Sequence, residues 1–396
     1  MKICFITSSI FSTGGVQRVT SVLANELVKY NEVDIICTSD KYKLNYELYN
    51  LNKSINVQIN SNLHKKELIS RLICKGLMIL NNKTGIFNKN EYVNVLNKIF
   101  FPGKIQNNFV EYLNSKKYDV IIGVEALYSM LIGSIADKLN AKTIGWQHNS
   151  YEAYFETKGR YCWNIDKMFK INISNLDKCV VLTEHDKRKF ENEMGIRGIC
   201  IYNPLSFASE QKSSCSNKNI LSVGRLVQEQ KGLDLLLDAY KIVSIKYPNW
   251  KLIMVGDGPD KDKLENKVLE LQLTNNVEIK PFTKDVNYYY LNASIFVSAS
   301  RWEGFGLVIT EAMECGLPVV AFANSGPKEI INKNKINGVL VPTKNVKKLA
   351  LEIISLIENE NKRREMSRKA IERAQDFNIN RIVEEWKTIL NNINSR

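Results

Sequence analysis

Two short segments of the 396-residue sequence hold side chains whose types and spacing could do chemistry. In the first, Ser222-Val223-Gly224-Arg225-Leu226, an Arg closes an apolar run, and Lys231-Gly232 follows six residues later. Two cations at the mouth of a strand-to-helix loop, beside the positive end of a helix, suit a diphosphate. The plainer alternative, two solvated surface residues, stays open at this point. In the second segment, Arg301-Trp302-Glu303-Gly304-Phe305-Gly306-Leu307, Glu303 precedes Glu311 with seven residues between them. If a helix begins near Phe305, Glu311 lies about 9 Å along it, which is too far for a tight dyad sharing a proton or a metal. Glu303 would then face one part of an extended ligand and Glu311 another, while Gly304 and Gly306 let backbone amides approach phosphate oxygens. The alternative is a helix-start charge at Glu303 and a solvated Glu311.

A third candidate is His148, in Trp146-Gln147-His148-Asn149-Ser150, which follows an apolar run and so points from a strand end. A lone His is more often a packed one. Tyr151, Tyr154 and Phe155 come next and could stack on a sugar or lipid, or pack beneath the loop. The other histidines, His64 and His185, are remote in sequence and none has a Cys at ligand spacing, so no metal site is expected. The eight cysteines form no CxxC pair and read as reduced core thiols.

These residues need a scaffold that brings strand ends together. Met1–Thr7, Val33–Thr38, Tyr118–Val124 and Ala141–Trp146 read as strands, and Gly14-Gly15 opens a helical pattern with Val19, Val22, Leu23, Leu27 and Val28 on one face. This strand, helix, strand rhythm implies a parallel sheet covered by helices. Residues 42–117 interrupt it as an insertion of helices and loops. A Ser-rich polar run after Tyr202-Asn203-Pro204 marks a domain boundary. Beyond it, Asn219–Val223, Lys251–Gly256, Val277–Lys280, Ser294–Ser298, Pro318–Phe322 and Gly338–Val341 read as strands. Between them lie helical stretches at Gly232–Ile245, Asp260–Leu271, Phe305–Cys315 and Val346–Ile357. The expected organisation is therefore α/β: a Rossmann-like domain over 1–203, a second over 204–376, and a helical tail over 377–396. Two doubly wound sheets are expected to face a central cleft at their strand C-terminal edges.

Taken together, Glu303 and Glu311, Gly224-Arg225, Lys231-Gly232 and Gly14-Gly15 resemble the retaining glycosyltransferases of family 4, which have the GT-B fold. The resemblance covers most of the chain, strongly from Ile220 to Pro342 and weakly over 42–117. It implies a nucleotide-sugar donor whose diphosphate meets Arg225 and Lys231, which offset the charge on the leaving group. It also implies that Glu303 and His148 face the donor sugar and Glu311 the ribose. Amides at Phe305, Gly306 and Leu307 would approach the sugar and phosphate, Gly14-Gly15 would close over them, and the tail helix would return to the first domain. No metal or other cofactor is implied. The one DxD sequence, Asp260-Lys261-Asp262, follows Gly256-Asp257-Gly258-Pro259 and reads as a helix cap. No phosphate-loop or dinucleotide fingerprint is present. Other readings left open are a phosphorylase or epimerase of the same fold, and a non-catalytic basic α/β binding protein.

Composition limits the partners. Hydrophobic residues at 44% and charged residues at 24% exclude wholesale disorder and a polytopic membrane protein. The longest nearly apolar run, Val120–Ala136, is broken by Glu125 and is shorter than the ~20 residues of a spanning helix. MKICFITSS reads as a first strand rather than a leader, so a cytoplasmic location is expected. The net charge is +13, and residues 65–117 hold ten Lys and Arg (Lys65 and Lys66 among them) against three Glu. With Leu68, Ile69, Leu72, Ile73, Leu77, Met78 and Phe100-Phe101-Pro102, this stretch has the composition of a basic amphipathic surface. An anionic membrane face presenting a glycan or glycolipid acceptor is the expected partner, rather than nucleic acid, with a core-packed helix as the alternative.

Overall fold

The computed structural model describes residues 1–65 and 68–394. The chain divides into two units, Met1–Pro204 with the C-terminal segment from Ile379, and Leu205–Asn378. The first is built on a seven-stranded parallel sheet of β1 (Lys2–Thr7), β2 (Glu32–Cys37), β3 (Asn56–Ile59), β4 (Val120–Val124), β5 (Lys142–Trp146), β6 (Lys178–Val181) and β7 (Gly198–Cys200). Its order is β3-β2-β1-β4-β5-β6-β7. The second holds β8 (Asn219–Val223), β9 (Lys251–Val255), β10 (Val277–Lys280), β11 (Ile295–Ser298), β12 (Val319–Phe322) and β13 (Val339–Val341). These are also parallel, in the order β10-β9-β8-β11-β12-β13.

Parallel strands covered on both faces read as continuous apolar runs, which is why Ile3 to Ile6 in β1 and all of β4 are buried. In each unit the first strand is central and the chain winds outward on one side, then returns to wind outward on the other. Each sheet therefore has a topological switch point, between β1 and β4 and between β8 and β11.

The insertion differs from expectation. Besides the helices Leu68–Thr84, Val93–Phe100 and Gly103–Lys116, it supplies β3, an edge strand paired to β2. Four residues, one exposed and three half-buried, with two apolar side chains are too few for alternation to stand out. Phe100 and Phe101 also depart from the surface reading: Phe101 is fully buried and Phe100 packs against the same core.

The helix Ile379–Asn394 belongs to the first unit and lies on the helix Gly15–Leu27. Its buried face is Ile382, Val383, Trp386, Ile389 and Leu390, and the Trp386 ring meets Trp146 at 4.9 Å. All eight cysteines are free, seven of them buried. Among the described residues, no helix is long and apolar enough to cross a membrane.

Candidate functional site

The switch point of the second sheet explains how residues about seventy positions apart come together. β8 and β11 are hydrogen-bonded neighbours, pairing Ile220 with Ile295 and Leu221 with Phe296, so the loops leaving their C-terminal ends are adjacent. The β8 loop carries Gly224 and Arg225, then a single helical turn, Gln228–Lys231. The β11 loop carries Arg301 and Glu303. The two cations do not share one helix start, as the sequence suggested: Lys231 ends its own turn, and Gly232 links it to the next helix, Leu233–Lys246. Gly232 has φ +59°, and a Cβ there would lie 1.9 Å from the Ala299 carbonyl oxygen, so only glycine lets the turn sit against the end of β11.

Lys231 Nζ donates to Glu303 Oε2 at 2.6 Å, and Ser300 Oγ donates to the same oxygen at 3.1 Å. Both members of the pair are mostly withdrawn from solvent, at 15% and 14% exposure. Arg225 is exposed and donates at 3.4 Å to the Gln230 side chain. The arrangement is a carboxylate with two cations at a strand-end crevice, able to meet an anion and a polar group attached to it.

Glu311 is positioned differently. Its helix runs Leu307–Glu314 and starts after Gly306, whose φ is +110°, two residues later than expected. Glu311 then lies about 6 Å from the helix start. It is fully buried rather than solvated: Ser206 Oγ donates to Oε1 at 2.5 Å and the Tyr290 hydroxyl to Oε2 at 2.9 Å. Gly304 and Phe305 are buried where the β11 loop turns into this helix, and Leu307 is its first residue. Asp260 does not cap its own helix with its side chain. Its carboxylate takes the Gln228 amide at 2.8 Å and Lys263 at 2.8 Å, so the DxD sequence anchors the Lys231 turn.

In the first unit, Gly14 ends the β1 loop and Gly15 begins its helix, with the Gly14 amide held by the Tyr49 hydroxyl at 2.8 Å. His148 follows β5 and is buried, and among the described residues its Nε2 has no hydrogen-bond partner. Burial pushes its pKa down to about 3, so the ring is neutral at physiological pH. An unpaired buried nitrogen calls for a ligand or a water. Tyr154 does not offer a stacking face: it is buried among Phe155, Tyr161 and Phe169, and its hydroxyl accepts the His148 amide at 3.3 Å. Tyr151 and Phe155 are partly buried and pack on each other and on Phe190.

The fold also makes one cluster that sequence spacing hid. Ligand atoms of Glu152, His185 and Asp186 lie within 4.8 Å of one another. They are already engaged: His185 Nε2 is 2.6 Å from Glu152, while Asp186 takes the Thr183 hydroxyl at 2.6 Å and the Tyr151 amide at 2.9 Å. Burial, opposed by those hydrogen bonds, pushes the Asp186 carboxyl up to about 6. The partners of candidate site residues that sequence reasoning missed are Asp234, whose carboxylate takes the Arg301 guanidinium, and Tyr290 and Ser206, which donate to Glu311; they meet these residues only through the tertiary fold. Arg301 was visible beside Glu303, but no local signal marked its partner.

Residues 208–373 match the family described as glycosyl transferases group 1. An uncharacterized glycosyltransferase of Haemophilus influenzae is 30% identical over 396 residues, covering 98% of this chain and 99% of its own. A Campylobacter jejuni relative, named as a GalNAc-alpha-(1->4)-GalNAc-alpha-(1->3)-diNAcBac-PP-undecaprenol alpha-1,4-N-acetyl-D-galactosaminyltransferase, is 26% identical and covers 98% of both chains. Among solved structures, Anabaena HepE in complex with UDP superposes with a TM-score of 0.74 at 20% identity, covering 99% of this chain and 100% of that one, a likeness of fold. Full-length similarity of this degree, together with the two doubly wound sheets, means that the chain belongs to the glycosyl transferases group 1 family and is a glycosyltransferase of the GT-B fold.

Proposed function

We propose that the protein moves a sugar, with retention of configuration and without a metal, from a UDP-sugar to a cell-surface glycan or a lipid-linked saccharide. The observation that carries this is the Lys231–Glu303 pair at the β8/β11 switch point, with Arg225 on the same β8 loop. In this reading Arg225 and Lys231 bind the diphosphate. As the bond from the anomeric carbon to the phosphate oxygen breaks, they offset the charge growing on that oxygen. The acceptor hydroxyl oxygen bonds to the anomeric carbon on the same face, and its proton passes to the departing phosphate. Glu303 needs no covalent bond to the sugar; it holds Lys231 and faces the donor sugar, with neutral His148 contacting a sugar hydroxyl. Glu311 takes the ribose hydroxyls once the Ser206 hydroxyl gives way. Amides at Phe305, Gly306 and Leu307 line the turn that approaches the donor. The HepE complex with UDP supports the choice of base, and the C. jejuni name supports a lipid-linked acceptor.

The test is a panel of UDP- and GDP-sugars, read by thermal stabilisation and by slow hydrolysis of the donor. UDP-sugars are expected to protect and to be hydrolysed, with EDTA making no difference. If no nucleotide sugar does either, the reading fails; loss of turnover in EDTA overturns metal independence.

The insertion favours a membrane-proximal acceptor. On the helix Leu68–Thr84, Cys74, Leu77 and Met78 pack inward, while Leu72 and Ile73 are 63% and 58% exposed beside the exposed cations Arg71 and Lys75. The side chains of Leu68 and Ile69, and all of Lys66, lie outside the described residues. We propose that this apolar and basic face rests on the anionic inner leaflet, from the cytoplasmic side. The protein should pellet with vesicles containing phosphatidylglycerol, less so as salt rises, and not with phosphatidylcholine alone. Equal pelleting with both, or none with either, would contradict the proposal.

A further inference from the structure

The chemistry proposed for Lys231 requires its ammonium to be delivered to one place, yet its backbone belongs to a helical turn of only four residues. Such a turn is not stable alone, because fixing it costs more conformational freedom than its own hydrogen bonds return. Among the described residues, three hydrogen bonds from outside hold its backbone. Asp260 accepts the Gln228 amide, the Arg301 amide donates to the Gln230 carbonyl at 2.7 Å, and Arg301 Nη1 donates to the Gln228 carbonyl at 2.7 Å.

Two of the three come from Arg301, and its guanidinium is itself fixed. Nη1 donates to Asp234 Oδ1 at 2.8 Å and Nη2 to Oδ2 at 2.6 Å, a planar two-pronged pair with both side chains at 20% exposure or less. Asp234 stands in the first turn of the helix Leu233–Lys246, and Arg301 is two residues before Glu303. One guanidinium therefore ties together the Lys231 turn, the helix after it and the loop bearing Glu303. Burial opposes ionisation of Asp234, but the hydrogen bonds and charge of Arg301 outweigh it and hold the carboxyl below its usual range.

We propose that Arg301 and Asp234 are positioning residues, whose two-pronged pair sets the Lys231 turn so that Nζ meets Glu303 and, with donor bound, the diphosphate. The inference rests on the reading of Lys231 as a diphosphate ligand. Lysine cannot substitute for Arg301, because an ammonium lacks the planar geometry that reaches a carboxylate and a carbonyl together. A merely structural role would loosen both loops without distinguishing the parts of the nucleotide.

UDP and uridine are titrated, by calorimetry and saturation-transfer NMR, into the wild type, Arg301→Lys, Asp234→Asn, Lys231→Ala and the double variant Lys231→Ala/Arg301→Lys. Arg301→Lys and Asp234→Asn should each weaken UDP about tenfold, the scale of one misplaced charge-assisted contact. Uridine, which has no phosphate, should bind unchanged. In the Lys231→Ala background, Arg301→Lys should cost nothing further. Unchanged UDP affinity in Arg301→Lys, equal losses for UDP and uridine, or an additional loss in the double variant would each overturn the positioning role. Wild-type UDP affinity in Lys231→Ala would instead remove the diphosphate reading on which it rests. Melting curves check folding, and if Arg301→Lys does not fold, Asp234→Asn, which keeps one oxygen for the guanidinium, carries the test.

Discussion

Lys231→Ala is expected to lower the transfer rate at saturating donor by about 100- to 1,000-fold, the loss seen when one preorganised donor to developing negative charge is removed. The ammonium is largely withdrawn from water, so its interaction with the leaving phosphate is poorly screened, and no mobile solvent cation replaces it at the same geometry. The substitution also leaves Glu303 with the Ser300 hydroxyl but without its cationic partner, so an unneutralised carboxylate would face the incoming diphosphate. Glu303→Gln should be less damaging than Lys231→Ala, because the amide can still contact a sugar hydroxyl and brings no repulsion. The two substitutions should be strongly non-additive, with Lys231→Ala/Glu303→Gln better than the product of the single effects, since the second removes the repulsion created by the first. Initial rates by mass spectrometry, with melting temperatures as a folding control, decide. Near-wild-type turnover in a folded Lys231→Ala variant would show that the diphosphate is neutralised elsewhere.

Loss of the returning helix is expected to have the largest effect on stability. Trp386 is fully buried and its ring packs against Trp146, the last residue of β5, directly before Gln147 and His148. Trp386→Ala should cost about 3–5 kcal/mol, a transfer loss plus a cavity beneath the strand end. Truncation after Phe377 removes Ile382, Trp386 and Leu390 together and exposes the Gly15–Leu27 helix that they cover. The helix is part of the first unit, so the damage should be concentrated there. Hydrogen exchange read by mass spectrometry should show lost protection in β1, β5 and the Gly15–Leu27 helix. A truncated chain with wild-type protection in those segments would contradict this packing.

How far the sequence could be read depended on the length and burial of each element. β8, buried and apolar, was legible to the residue, and β11 within one residue at its start. β3, β6 and β7 were missed: no residue of β3 or β7 is buried, so burial left little pattern there, whereas shortness alone does not hide a strand, since the three-residue β13 was legible. The helix carrying Glu311 was legible in type but began later, because Gly306 adopts a left-handed conformation that a reading of periodicity does not anticipate. Tyr154 and Phe101 show the opposite failure, since an aromatic side chain looks the same in sequence whether it stacks on a ligand or fills a core.

The sequence by itself determined the class of protein: apolar runs separated by helical periods require parallel sheets, and Arg225, Lys231, Glu303 and Glu311 stand at spacings shared with one family of transferases. Which of these residues meet was decided only by the tertiary structure. Strand order is not encoded in any local window, and it is the adjacency of β8 and β11 that places Lys231 against Glu303. The same holds for the partners that orient them. Asp234 and Arg301 are sixty-seven residues apart, and Ser206 reaches Glu311 across 105. Contacts over such separations arise when buried faces of distant elements share one core, and the geometry of that core, rather than residue spacing, selects the hydrogen-bonding partners.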